Sequence, residues 1–405
     1  VIDSKICEPL PVPLMASSEI HAPRGPLPVE RLVLYFGAFA IVLFWIFDLA
    51  PRTRVNFYLK QIMMACDNYA FGLLVAALLI IIGQYFKAWP ITLLPSQNGP
   101  SQNGPSQNGP SQNGPSQNGP SQNGPSQNKR NAILEPLRNG WLRFLELFLT
   151  RRSVLFDLRL ILAMLLTLAI FSHLKHVIPL VNSAVFDQPL VDSERWLLGG
   201  SLATQHVIKI LGAGAAPFMS WGYTAYYIYM NAIFMIFILQ RDRRLGMEFC
   251  TAFALLWFVG ALMVYAAPTW GPCFYLPELF KMLPTTPVSE LQANLWLQRL
   301  HLLANPRSAE GVFLISGQPS LHIAVTVLGS LYLWRLWRPL AVLSWCFVVL
   351  TALTTLYLGW HYIADNVLAL VLVAVAVWMA RRMVATGTPW YVLASHEPET
   401  SAKPP

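Results

Sequence analysis

The sequence predicts an all-α fold, a polytopic membrane helical bundle, on three observations. Of its 405 residues, 55% are hydrophobic and only 12% charged, where an ordinary soluble domain is about 25% charged. The apolar residues gather into eight runs, each near the roughly 20 residues that a bilayer core of about 30 Å requires. The basic residues stand in short clusters beside those runs. A net charge of +8 therefore reads as a topology signal and not as a nucleic-acid surface, which would need an extended patch.

In chain order, residues 1–31 form an N-terminal tail. Met15, followed by Ala16, Ser17 and Ser18, is a natural start, so the residues before it read as upstream sequence. The first run, Leu32 to Leu49, is too long for a signal peptide and lacks a small-residue cleavage site, which makes it a retained span. The second is Ala70 to Phe86, and together they give a two-helix region over 32–94. PSQNG then repeats in tandem from Pro95 to Gly124 and ends at Asn128. Having neither apolar nor aromatic side chains, residues 95–128 cannot bury enough surface to offset chain entropy and read as a disordered linker. A basic cytoplasmic segment follows over 129–153.

The remaining spans build a six-helix membrane domain over 154–380, followed by a tail over 381–405. They run from Val154 to Phe171, Pro217 to Leu239, Glu248 to Ala267, Ser320 to Trp337, Leu340 to Leu358 and Tyr362 to Met379. Lys129 to Arg152, Arg241 to Arg244, Arg335 with Arg338, and Arg381 with Arg382 all fall on one side under this assignment. By the positive-inside rule that side is cytoplasmic, and both termini with it. Arg52, Arg54 and Lys60 fall on the other side and are outvoted.

Two strings near the C-terminus then meet at the outer surface, G-Q-P-S-L-H-I-A (Gly317 to Ala324) and T-T-L-Y-L-G-W-H-Y-I-A-D-N (Thr354 to Asn366). Ionisable residues at span ends are costly and call for a chemical reason. His361 and Asp365 are one helical turn apart, so the carboxylate can hold one imidazole nitrogen and leave the other free as a nucleophile. A structural His–Asp pair has the same spacing. Pro319 and Ser320 suit a helix start, whose free N–H groups favour an anion; Ser320 adds a hydroxyl donor for a phosphate oxygen. His322 is placed to protonate a leaving oxygen. Alone, this second string also fits a plain N-cap beside a solvated histidine. The five cysteines are scattered without metal-ligand spacing, and neither metal nor cofactor is expected.

P-S-x-H at a helix start, with H-x-x-x-D about forty residues on, resembles the second and third motifs of the type 2 phosphatidic acid phosphatase superfamily. The resemblance covers roughly Val154 to Met379. It implies a six-helix core, His361 as the nucleophile that forms a phosphohistidine, Asp365 orienting it, and His322 as the acid. Two departures stand out. The superfamily's K-x-x-x-x-x-x-R-P is absent, Leu331 standing where Arg338-Pro339 would need a lysine, and Thr355 replaces the arginine six residues before the nucleophile.

P-S-L-H, the missing arginine and A-A-P-T-W-G-P (Ala266 to Pro272) look more like the inositol phosphorylceramide synthase branch. F-S-H-L-K-H-V-I-P (Phe171 to Pro179), with Asp187 and Asp192, looks like its bacterial members. The resemblance thus implies transfer of a phosphorylated head group from a phospholipid donor to a lipid hydroxyl, at the extracytoplasmic face of a bacterial inner membrane. Hydrolysis of lipid phosphates is the alternative. A transporter with a histidine proton path lacks the expected internal repeat, and a haloperoxidase would need the missing clamp. Lys175, just beyond a span end, is the first candidate to replace that clamp, ahead of His173, His176, Arg195, Lys281, Arg299 and Arg307. Trp270 and Tyr275 read as an interfacial belt.

Overall fold

The computed structural model describes residues 25–46, 63, 67, 69–78, 80, 125–240, 242–306, 315 and 317–386. Among them there are helices and no strand. The helices are α1 (Pro28–Ile46), α2 (Tyr69–Leu78), α3 (Pro125–Phe148), α4 (Arg151–Val181), α5 (Asp187–Leu197), α6 (Ala203–Leu211) and α7 (Ala216–Ile238). They continue with α8 (Arg243–Ala266), α9 (Pro272–Tyr275), α10 (Pro287–Ala304), α11 (Leu321–Leu336), α12 (Arg338–Tyr357) and α13 (Ile363–Thr386). Residues 1–24, most of the PSQNG repeat, and 387–405 lie outside the described residues.

Five helices, α1, α4, α8, α12 and α13, are long and apolar enough to cross a membrane, and the protein is an integral membrane protein. Apolarity all round, not amphipathicity, marks these helices. On α4, Leu160, Met164 and Phe171 are buried while Leu155, Leu158, Leu162 and Leu166 stand exposed, where acyl chains would meet them. The core centres on α8, with Phe249, Cys250, Ala252 and Phe253 fully buried. α8 packs against α1, α4, α7, α11 and α13, and α11 also touches α7, α12 and α13. α1 is therefore seated on the six-helix body through α4 and α8.

Local sequence sets the helix starts. Thr150 and Asp242 cap α4 and α8, accepting from the Ser153 and Leu245 N–H groups at 3.3 and 3.1 Å. Pro217, Pro287 and Pro339 occupy first turns, where a missing N–H costs nothing. The same tolerance lets α3 begin at Pro125, inside the segment the repeat pattern assigns to linker.

Ion pairs gather the basic clusters at one end of the bundle. Asp157, wholly buried, pairs with Arg243 and accepts from the Tyr69 hydroxyl at 3.2 Å. Glu248 Oε1 accepts from Arg335 Nη1 at 2.9 Å, Arg381 Nε at 3.0 Å and the Tyr332 hydroxyl at 2.9 Å. One carboxylate thus ties the ends of α8, α11 and α13. Arg159 clamps Glu30 with both Nε and Nη2 at 2.6 Å, holding α1 on α4. The two histidine strings lie at the opposite ends of the same helices.

α4 departs from expectation: it runs through His173, Lys175 and Pro179 to Val181 instead of ending near Phe171. The polar residues interrupt the apolar run, so a hydropathy reading stops there, but the backbone does not. Pro179 stands inside the last turn, where it offers no N–H to the carbonyl of Lys175 one turn back.

Candidate active site

The turn between α12 and α13 sets the first half of the site. Gly359 has φ +69°, and a side chain there would strike the Phe280 ring. The Trp360 N–H donates to the Thr355 carbonyl at 2.9 Å, closing the turn. His361 and Tyr362 follow before α13 starts at Ile363, so His361 stands in the turn just ahead of the helix, in keeping with a span that begins at Tyr362. Asp365, in the first turn, accepts from the Tyr362 N–H at 2.9 Å and still comes within 3.4 Å of His361 Nδ1. That separation is a close contact without hydrogen-bond geometry. His361 is 4% exposed and Asp365 fully buried.

The second half comes from the start of α11. Ser320 is the N-cap; its Oγ accepts from the Ile323 N–H at 3.4 Å, and its own N–H donates to the Asp365 carbonyl at 3.2 Å. The hydroxyl hydrogen of this fully buried serine is left to point elsewhere. The Ser320–Asp365 bond locks the two helix starts together, and His322 Nδ1 lies 3.4 Å from His361 Nε2. Tyr223 and Tyr226 of α7 pack on the His322 ring, with centroids 5.1 and 4.6 Å away. The two histidines, the aspartate and the serine named from sequence are thus brought together.

A cap of shorter segments holds this turn in place. Asp187, at the start of α5, is fully buried. It accepts from the Trp270 and Gly271 N–H groups, both at 2.8 Å, and from the Tyr362 hydroxyl at 3.0 Å. Burial pushes its carboxyl above the usual range, and these donors pull the other way. Glu194 takes the Ala203 N–H at 3.0 Å and the Ile363 N–H, fixing the first residue of α13; burial pushes its carboxyl up as well. Thr269 receives the Gln318 N–H on its hydroxyl at 2.7 Å and the Gly317 N–H on its carbonyl at 2.8 Å. Gly271, at φ +89°, lies so close to the turn that a Cβ would be 2.4 Å from the Trp360 carbonyl oxygen.

The candidate cations divide. Lys175, partly buried on α4 and not beyond its end, is near enough to His322 for the two to interact electrostatically. Lys281 is exposed and paired with Glu278 at 2.6 Å, Arg195 is exposed, and His173 and His176 lie partly buried on α4. Arg299 is 7% exposed, its guanidinium 5.1 Å from the Trp270 ring centre. Arg307 lies outside the described residues. Trp270 is no lone interfacial residue: it packs edge-on against Trp296, 5.2 Å between ring centres. Sequence reasoning gave no structural role to Glu194, Thr269, Tyr223 or Tyr226. For the tyrosines the signal was there, four of them crowded between Tyr223 and Tyr229 in an otherwise apolar span.

Residues 188–379 match the family model of the PAP2 superfamily. The match takes in both histidine strings and starts after α4, so Lys175 and Asp187 lie outside it. It supports a membrane-embedded lipid enzyme of the phosphatase or phosphotransferase type. Searches of curated proteins and of solved structures return no match.

Proposed function

We propose that the stretch matching the PAP2 superfamily houses a phosphotransferase of the inositol phosphorylceramide synthase-like branch, which moves a phosphorylated head group from a phospholipid to a lipid hydroxyl. The observation that carries this reading is the meeting of His322 Nδ1 and His361 Nε2 at 3.4 Å, with Asp365 on the far nitrogen of His361. In the proposed relay, His361 Nε2 donates its lone pair to phosphorus while the bond from phosphorus to the lipid oxygen breaks. His322 delivers its proton to that oxygen, and Asp365 offsets the charge that develops on His361. The acceptor hydroxyl then attacks the phosphohistidine and yields its proton to His322, while the phosphorus–nitrogen bond breaks. Lys175 and the Ser320 hydroxyl face the negative oxygens of the transferring group.

The burial of His361 and Asp365 restricts water, which favours a lipid hydroxyl as acceptor. By the positive-inside reading, the basic end is cytoplasmic and the histidine end faces outward, in a bacterial inner membrane. The deciding experiment is product analysis in detergent with a phospholipid labelled in its head group and a mixed pool of lipid acceptors. A new labelled lipid is expected; labelled phosphate or free head-group phosphate as the sole product would replace this reading with a phosphatase.

His322→Ala should lower turnover of a phospholipid by about 10²–10⁴-fold, the range for a lost general acid. A nitrophenyl phosphate, whose leaving group needs no proton, should lose far less. Equal losses on both substrates would remove His322 from the acid role.

A further inference from the structure

We propose that Arg299, with the indole N–H groups of Trp270 and Trp360, forms an anion-binding subsite that receives the substrate's phosphate beside His361. The inference rests on the function proposed above and adds a binding step to it.

The charge is the starting point. Arg299 is 7% exposed on α10, yet among the described residues it forms no ion pair or hydrogen bond; its contact is the face of Trp270. An arginine buried to a similar degree, Arg243 at 9%, is paired with Asp157. A buried cation without a counter-charge is costly. Asp187 is the nearby acid whose charge reaches Arg299. It does not fill the role, because its oxygens already hold two backbone N–H groups and the Tyr362 hydroxyl, and no ion pair joins the two side chains.

Unused donors point the same way. Trp270 Nε1 and Trp360 Nε1 are buried and have no acceptor among the described residues. Trp360 immediately precedes His361. Trp270 immediately precedes Gly271, which abuts the Trp360 carbonyl. Aromatic contacts close the wall between them, with Trp296 at 5.2 Å from Trp270 and 6.0 Å from Phe274, and Phe274 at 5.8 Å from Trp360. A buried guanidinium without an ion-pair partner, stacked on Trp270, and two unused indole donors, one of them on the residue that precedes His361, suit a phosphate in these low-dielectric surroundings.

The test is binding of inorganic phosphate to the purified full chain in detergent by equilibrium dialysis, together with KM and kcat for a phospholipid in mixed micelles. Arg299→Gln is expected to weaken phosphate binding and raise KM by about 10–100-fold, the scale of lost charge-assisted hydrogen bonds, with a much smaller change in kcat. Arg299→Lys should recover part of the loss and serves if the glutamine variant does not fold. A loss confined to the phospholipid assigns the subsite to the lipid head group; a loss for both ligands assigns it to phosphate in general. Unchanged KM and unchanged phosphate affinity in Arg299→Gln would overturn the subsite. Turnover that survives His361→Ala would instead overturn the relay, leaving the dialysis arm to decide Arg299 alone.

Discussion

His361→Ala is expected to lower lipid phosphoryl transfer at least ~10⁴-fold, since single losses of a covalent nucleophile reach that scale or beyond. The side chain is only 4% exposed but belongs to a turn, not to the apolar core around α8. The turn is held by bonds that do not involve the imidazole: Trp360 N–H to the Thr355 carbonyl, Cys273 N–H to the Gly359 carbonyl, and Tyr362 N–H to the Asp365 carboxylate. The variant should therefore elute as the wild type does from a sizing column and melt at a similar temperature. Turnover is to be read on initial rates of labelled lipid formation. An activity above about one per cent of wild type would contradict a nucleophilic role, whatever the stability.

Asp157→Ala is expected to be the most damaging single change to stability, at about 3–5 kcal/mol. The carboxylate is wholly buried and faces Arg243, itself 9% exposed, so removing it leaves a cation between α4 and α8 without that counter-charge. The Tyr69 hydroxyl loses an acceptor as well. Loss of tertiary signal on heating in detergent is the readout. Arg243→Met added to Asp157→Ala should restore part of the loss, because the stranded charge is then gone. An unchanged melting curve for Asp157→Ala would show that the pair contributes little. The pair lies at the basic end, so the surviving folded protein should retain its catalytic rate.

The membrane bundle was legible because apolar runs of bilayer length need no tertiary information. α7, α8, α11 and α12 each begin and end within about five residues of the runs read from the sequence, whereas α13 starts where expected but runs on past Met379 and the basic pair to Thr386. The basic clusters were legible for the same local reason, and the Arg243–Asp157 and Glu248–Arg335–Arg381 contacts bring members of three of the four together at one end. Less was legible where polar residues sit within helices. His173, Lys175 and His176 hid the last turns of α4.

The frame of the site was hidden altogether. The Tyr362 hydroxyl reaches Asp187 across 175 residues, and the Ile363 N–H reaches Glu194 across 169. No window along the chain carries such pairings. Asp187 entered the sequence reading only through resemblance, and its place at the crossing of the α8–α9 loop and the His361 turn comes from the fold. α5 and α6 are shorter than the spans, and α5, α6 and α10 are more polar, so hydropathy passes over the cap that carries Arg299.

The central claim is that His361 carries the transferring phosphoryl group, and the most direct measurement is to trap it. Purified protein would be mixed with a phospholipid labelled at phosphorus, quenched in alkali within the first turnover, and its peptides mapped. The account predicts an alkali-stable, acid-labile label on the peptide containing His361, which a lipid alcohol chases into a new phosphodiester. Product formation with the label on another residue, or with no labelled protein at any time, would contradict it.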